Sequence, residues 1–213
     1  MERVPNPLVG QLANDLAPVR TLKLRDGLAL AVLALVGTVL LVQLVEGLWM
    51  TGVYGHASPF FYIGNGLLLA SGAAAAVAVV SMASPRVGNR YEGPKWAMAT
   101  AAVLPVAALV TLLAQPGGPA AYHDEHGIYC LVAGLVCSLL VTGALVHWLR
   151  RGAPVSISTA GLLTGVAATA LGSAAYGLSC PIDDVMHIGL WHAAPVLVGA
   201  IAGRFLLPPL LKW

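Results

Sequence analysis

The sequence predicts an all-α polytopic membrane protein, a bundle of six transmembrane helices with both termini in the cytoplasm. Of its 213 residues, 58% are hydrophobic and only 9% are charged, and the mean hydropathy is +0.83. Soluble domains carry far more charge and fewer apolar residues. Apolar runs of about 20 residues, the helix length that crosses a bilayer, recur along the chain. They are residues 27–48, 62–82, 96–114, 128–149, 157–178 and 186–207.

Residues 1–25 form a cytoplasmic segment that precedes the membrane domain, residues 26–213. Asn6 can cap a short helix there, Pro7 suits its first position, and Pro18 ends it. An apolar stripe along this helix consists of Leu8, Leu12 and Leu16. Such a helix can lie on the membrane or enter a groove on a partner protein. Because an isolated helix of about 10 residues is marginal in water, we expect one of these surfaces to receive the leucines.

The first apolar run is predicted to be a retained helix. It is too long for the core of a signal peptide, and no small-residue cleavage site follows it. The later runs are rich in glycine, which allows close helix packing in lipid. These glycines include Gly134, Gly143, Gly161, Gly165 and Gly172.

The basic residues predict the orientation, because Lys and Arg near span ends stay on the cytoplasmic side. All 11 agree with one topology, in which both termini are cytoplasmic. They are Arg3, Arg20, Lys23, Arg25, Arg86, Arg90, Lys95, Arg150, Arg151, Arg204 and Lys212. The net charge of +2 is thus a signature of topology and gives no reason to propose nucleic-acid binding.

The three opposite loops contain no Lys or Arg and hold acids, with histidines in or beside them. The acids are Glu46, Asp124, Glu125, Asp183 and Asp184, and the histidines are His56, His123, His126, His187 and His192. The outer face is thus expected to be acidic and rich in histidine.

Two of the three cysteines, Cys130 and Cys180, are predicted at this outer face, whereas Cys137 lies two turns deeper. The outer pair can form a disulfide, bind a metal together, or pack as small apolar residues. Pro181 follows Cys180, so Cys180 is expected to cap a helix whose N-terminus favours a thiolate.

Helical spacing then places Asp183, Asp184 and His187 on one face near Cys180. In the second outer loop, His126 lies four residues before Cys130, and His123 lies nearby. If the two loops meet, these side chains offer a mixed Cys, His and carboxylate site for a transient heavy-metal or zinc-like ion. The alternative is that these histidines and acids are simply solvated, and no cofactor is certain.

The chain shows no sign of an enzyme. It has no P-loop, no nucleotide-binding glycine motif and no acid pair buried in a span. His192 follows Trp191, and this pair is interpreted as an interfacial element because no second histidine at matching depth suggests a haem.

The chain resembles the NrsF-type anti-sigma factors, six-span inner-membrane proteins, over nearly its whole length. The resemblance depends on L-x-x-D-L-x-P-V-R at Leu12 to Arg20, on W-L-R-R-G-A-P at Trp148 to Pro154, and on L-S-C-P with W-H further on. It implies that the protein holds an extracytoplasmic-function sigma factor at the inner membrane and releases it under periplasmic heavy-metal or oxidative stress.

By the same resemblance, Cys130 and Cys180 match the family's sensor cysteines. The sigma-binding element corresponds to the N-terminal segment, with Asp15, Pro18 and Arg20 at its matching positions. Where the family often has a histidine before its C-P dipeptide, this chain has Ser179. That difference favours a thiol switch over a direct metal site.

Other classes stay open at this point. A non-catalytic accessory subunit of a larger membrane complex would also be rich in Gly and Ala, with short loops, and homo-oligomers would suit the small-residue faces. A carrier would need polar groups near the bilayer midplane, which are few here.

Overall fold

The computed structural model describes residues 7–15, 21–84, 95–96, 99–100, 102–116, 119 and 122–211. The regular structure of these residues is entirely helical. The helices are α1 (Pro7–Asn14), α2 (Leu24–Val45), α3 (Met50–Val53), α4 (Pro59–Met82), α5 (Val103–Ala114), α6 (Gly127–Cys137), α7 (Leu139–Arg150), α8 (Ile157–Gly177), α9 (Val185–His187), α10 (Ala194–Leu206) and α11 (Pro208–Leu211). A π-helical segment, Ile188–His192, joins α9 to α10.

Five helical stretches are long and apolar enough to cross a membrane, so the prediction of a helical membrane protein is confirmed. They are Leu24–Val45, Pro59–Met82, Gly127–Arg150, Ile157–Gly177 and Val185–Leu206. The third predicted span, 96–114, contains the shorter helix α5 of 12 residues. At 1.5 Å per residue α5 is about 18 Å long, less than the hydrocarbon core of about 30 Å. A sixth span and the orientation of the termini therefore stay predictions.

Helix α8 is the centre of the bundle. It packs against α2, α4, α6, α7 and α10. Of the residues in its most apolar stretch, 78% are buried, against 22% in the corresponding stretch of α2. Glycines let α8 occupy the centre, because at Gly165 and Gly199 the backbones of α8 and α10 are in direct contact. A Cβ on Gly165 would lie only 2.6 Å from the carbonyl carbon of Gly199.

One end of the bundle, the basic end, carries Arg150, Arg151 and Lys23. A tryptophan of α7 joins this end to α4, since Trp148 Nε1 donates a hydrogen bond to the carbonyl oxygen of Val80 at 3.0 Å. The guanidinium of Arg151 lies 5.5 Å from the centre of the same indole ring. Trp148 is almost fully buried.

Helix α1 begins at Pro7, as the sequence predicts, and ends at Asn14. Leu8 and Leu12 leave 59% and 60% of their surfaces exposed, and Asp15 is exposed beside them. The other proposed partner-binding residues, Leu16, Pro18 and Arg20, and the proposed cap Asn6, lie outside the described residues.

The opposite end, here called the cluster end, comprises residues 46–58, 122–127 and 178–185. Its loops are tied together by hydrogen bonds that cross the sequence. Trp49 N donates to the carbonyl oxygen of Leu178 at 2.8 Å, and the hydroxyl of Ser58 donates to Asp183 Oδ1 at 2.6 Å. These bonds fix the loop that carries Cys180.

Candidate functional site

Four side chains with metal-ligating atoms converge at the cluster end. Their ligand atoms all lie within 4.8 Å of one another, and 1% to 4% of each residue is exposed. We call this group the Cys–His cluster; its members are Cys130, Cys180, His187 and His192. The sequence singled out three of them as site residues and missed His192.

Helix α6 places Cys130 in the cluster from its first turn. This turn can approach the π-helical segment because residue 127 is glycine, and the indole of Trp191 occupies the space that a Cβ on Gly127 would need. Cys130 Sγ lies 3.9 Å from Cys180 Sγ and 3.8 Å from the hydroxyl of Tyr176 on α8. All three cysteines of the chain are free.

Cys180 is not a helix cap, and that prediction is wrong. Residues 180–184 are not helical, and the next helix starts at Val185. The cap is Asp184, whose Oδ1 accepts hydrogen bonds from the backbone N–H groups of Met186 at 2.9 Å and His187 at 3.0 Å. Without a helix N-terminus to favour the thiolate, the adjacent sulphur of Cys130 and burial raise the pKa of Cys180.

The π-helical segment brings the two histidines to the same site. In an α-helix, side chains five residues apart point about 140° away from each other. A π turn, with its bonds between residues five apart, places them almost above one another. The rings of His187 and His192 therefore lie 5.3 Å apart, edge to face. The sequence spacing alone gave no sign of this turn.

Asp124 holds His187 in place from the second loop. Its Oδ2 lies 2.6 Å from His187 Nδ1 and accepts a hydrogen bond from the hydroxyl of Tyr122 at 2.8 Å. Burial opposes ionisation of Asp124, but the hydrogen bonds from His187 and Tyr122 outweigh it and hold the pKa of this carboxyl below its usual range. Burial and the Asp124 carboxylate raise the pKa of Tyr122. The Tyr122 hydroxyl therefore keeps its proton and donates a hydrogen bond to Asp124.

This pairing decides the tautomer of His187. Since an ionised carboxylate can only accept hydrogen bonds, Nδ1 carries a proton, and in the neutral ring Nε2 would present its lone pair to the cluster. Nε2 lies 3.5 Å from Cys180 Sγ. His187 is thus oriented as a ligand, and Asp124 is a site residue that the sequence assigned only to an acidic loop.

His192 completes the group from its other side. Its ring stacks on Tyr176 with a centroid distance of 5.8 Å and an angle of 24°. Its Nε2 is buried and has no hydrogen-bond partner among the described residues. Most buried polar atoms are paired, so this nitrogen is available to a ligand.

The other predicted ligands lie elsewhere. His123 and His126 are exposed and are not among the four. Asp183 accepts hydrogen bonds from the backbone N–H and hydroxyl of Ser58, and Asp184 serves as the cap. The ligand roles proposed for these four residues stay predictions that the geometry does not favour.

Cys137, at the end of α6, is half-buried and packs beside the cluster as an apolar residue. It also lines a cavity of about 690 Å³ between α2 and α6, whose lining includes none of the four ligand residues.

Two kinds of chemistry fit the Cys–His cluster. Two thiols and two imidazoles are a common ligand set for zinc-like ions, and neighbouring thiols can be oxidised to a disulfide, whose S–S bond is about 2.05 Å long.

Comparison with known proteins agrees with the resemblance seen in the sequence. The profile of a family described as "Negative regulator of sigma F" matches residues 12–213. A relative from Azospira oryzae, described as "Probable anti-sigma-F factor NrsF", is 23% identical over 156 residues, which is 73% of each chain. No solved structure matches. The family role is regulatory and not enzymatic, which confirms the prediction that this protein is no enzyme, and the chain belongs to the family of negative regulators of sigma F.

Proposed function

We propose that the protein is a membrane-bound anti-sigma factor that sequesters an extracytoplasmic-function sigma factor on the cytoplasmic side of the bacterial inner membrane. It releases this partner when periplasmic heavy-metal or oxidative stress changes the state of Cys130 and Cys180. The observation that carries the sensing part is the buried approach of the two sulphurs, 3.9 Å apart, in a family of negative regulators. In this proposal the cluster end faces the periplasm and the basic end faces the cytoplasm.

The partner-binding surface is proposed to be the N-terminal segment, residues 1–25. Leu8 and Leu12, both more than half exposed, lie four residues apart on α1 and can share one face. An eight-residue helix does not persist in water by itself. A groove on a soluble sigma factor would bury this face, and exposed Asp15 at its end adds a polar contact.

The path for the signal is the helix that connects the two ends. Tyr176, near the end of α8, lies beside Cys130, and α8 packs against most other helices on its way to the basic end. Oxidation would join the two sulphurs with loss of two protons and two electrons to the oxidant, and a heavy metal would bind both as thiolates. Either event changes the distances between α6, α8 and the helical stretch Val185–Leu206. Release then requires that the sigma factor binds the two states with different affinity.

Copurification tests the tether. The tagged full chain and a variant lacking residues 1–20 are purified from unstressed native membranes in mild detergent, and the proteins retained are identified by mass spectrometry. We expect a small soluble sigma factor with the full chain and none with the truncated chain. Membrane subunits retained by both, with no sigma factor, would contradict the proposal and indicate an accessory subunit of a larger complex.

A further inference from the structure

We propose that Cys130, Cys180, His187 and His192 are the four protein ligands of a tetrahedral site for a divalent ion of the zinc group, Zn²⁺ or Cd²⁺, and that Asp124 is its positioning residue. The biological role of this site rests on the proposed function, since the site would be the sensor. The binding itself is a property of the purified chain and needs no partner.

The spacing of the ligand atoms is close to that of a bound state. With Zn–S near 2.3 Å and Zn–N near 2.0–2.1 Å, tetrahedral geometry separates the ligand atoms by about 3.3 to 3.8 Å. The two sulphurs lie 3.9 Å apart, Cys180 Sγ and His187 Nε2 lie 3.5 Å apart, and no pair in the group exceeds 4.8 Å. The longest pair would have to close by only about 1 to 1.5 Å.

The unpaired nitrogen of His192 is an independent sign of a ligand. The residue is 3% exposed, and its Nε2 lacks a hydrogen-bond partner among the residues described. Leaving such a buried atom without a partner destabilises the folded protein, and a metal ion would satisfy it. A disulfide between the cysteines would use neither histidine, so it leaves this nitrogen unexplained.

Asp124 supplies the support that metal-bound histidines usually have. A ligating imidazole commonly donates its second N–H to a carboxylate, which fixes the ring and raises its basicity. Here the Asp124 carboxylate lies 2.6 Å from His187 Nδ1, and Tyr122 fixes the same oxygen. His187 is therefore held with Nε2 toward the sulphurs before any ion arrives.

Charge also fits a buried site. Binding of a divalent ion displaces one proton from each thiol to solvent, and two thiolates with two neutral imidazoles then give an electrically neutral complex. Burying a neutral unit avoids the large desolvation cost of an isolated ion. The four ligands come from α6, the loop after α8, α9 and the π-helical segment, so the ion would join these elements.

Cobalt(II) is a suitable probe, because tetrahedral sites with thiolate ligands give it intense visible bands and a near-ultraviolet sulphur charge-transfer band. The full chain is purified in mild detergent, reduced and kept anaerobic, then titrated with Co²⁺ alone. We expect one equivalent to bind with both spectral signatures and to be displaced by Zn²⁺ or Cd²⁺. Absence of these bands in folded protein would overturn the proposal.

Variants separate ligands from neighbours. Cys130→Ser and Cys180→Ser are each expected to weaken the charge-transfer band, and His187→Gln and His192→Gln to alter the visible bands and weaken binding. Matched controls are His123→Gln and His126→Gln, exposed histidines of the same end, which should bind as the original chain does. Unchanged binding in both His187→Gln and His192→Gln would remove the histidines from the site.

Asp124→Asn has a separate signature. As a positioning residue it should lower affinity about 10- to 100-fold while the cobalt spectrum keeps its shape, because no ligand is lost. An unchanged affinity would refute this role. Where a ligand variant fails to fold, X-ray absorption of the Cd²⁺-loaded original chain decides, with two sulphur and two nitrogen neighbours expected and any other set excluding the proposal.

The outcomes for the site and for the proposed function are distinguishable. A cobalt site in a chain that copurifies with no sigma factor would uphold the ligand set and refute the anti-sigma role. Retention of a sigma factor by a chain that binds no cobalt would uphold the anti-sigma role and refute the ligand set. Thiol oxidation would then be the sensing chemistry.

Discussion

Replacing Gly165 with alanine is expected to destabilise the protein because the contact between α8 and α10 has no room for a methyl group. The new Cβ would lie 2.6 Å from the carbonyl carbon of Gly199 and 3.2 Å from the Cα of Gly203. These neighbours are backbone atoms of a packed helix, so they cannot rotate away as a flexible side chain would. The helices must separate or the backbone must shift.

The size of the effect follows from the cost of overpacking. Extra methyl groups in a tight core cost about 1–3 kcal/mol, and 1 kcal/mol corresponds to about 2–4 °C in Tm for a chain of this length. We therefore expect the Tm of Gly165→Ala to fall by about 2–12 °C. Thermal unfolding of the purified protein in detergent, followed by tryptophan fluorescence, measures it.

Gly143→Ala is the matched control. Gly143 lies in a helix of the same bundle, yet a Cβ there would meet nothing within 4 Å. Alanine is the better helix former by about 0.5–1 kcal/mol, so the Tm should stay the same or rise slightly. If both variants unfold at the same temperature, the close backbone contact does not limit stability and the reasoning is refuted.

Two further predictions concern function. Replacing Leu8 and Leu12 together with aspartate should reduce the amount of sigma factor that copurifies without changing the Tm, because both side chains are exposed; undiminished copurification would exclude this face of α1. Cys130→Ser and Cys180→Ser should each abolish the transcriptional response to cadmium in cells, whereas Cys137→Ser should respond normally; a normal response in both of the first two variants would exclude the thiols as sensors.

The sequence predicted which residues form the site better than it predicted how they are arranged. Cys130 and Cys180 stand 50 positions apart; their predicted place at the outer face left pairing as one of three alternatives, and the family resemblance favoured it before the structure placed their sulphurs 3.9 Å apart. His192 was not predicted as a site residue because the five-residue spacing from His187 to His192 does not distinguish a π turn from an ordinary α-helix. Asp124 escaped because its partner, His187, is 63 positions away, and loop carboxylates show no periodicity.

Hydropathy predicted the long helices well, since five of the six apolar runs form helices of membrane-spanning length. It failed at element ends, where local hydrogen bonds decide. Pro181 suggested a helix start after Cys180, but the Asp184 side chain satisfies two backbone N–H groups and moves the start to Val185.

The structure explains how a change at the Cys–His cluster could reach the opposite end of the bundle. Cys130 begins a helical rod, because backbone hydrogen bonds continue through Ser138 from α6 into α7, and the rod is anchored near the basic end by Trp148. The other ligands lie in the loop after α8, in α9 and in the π-helical segment, and the contact of Gly165 with Gly199 holds α8 and α10 together. The cluster therefore bridges two stiff units at one end. In the proposed mechanism, drawing the sulphurs and nitrogens together tilts or slides one unit against the other, and because helices are stiff along their length, we expect the displacement to reach the basic end.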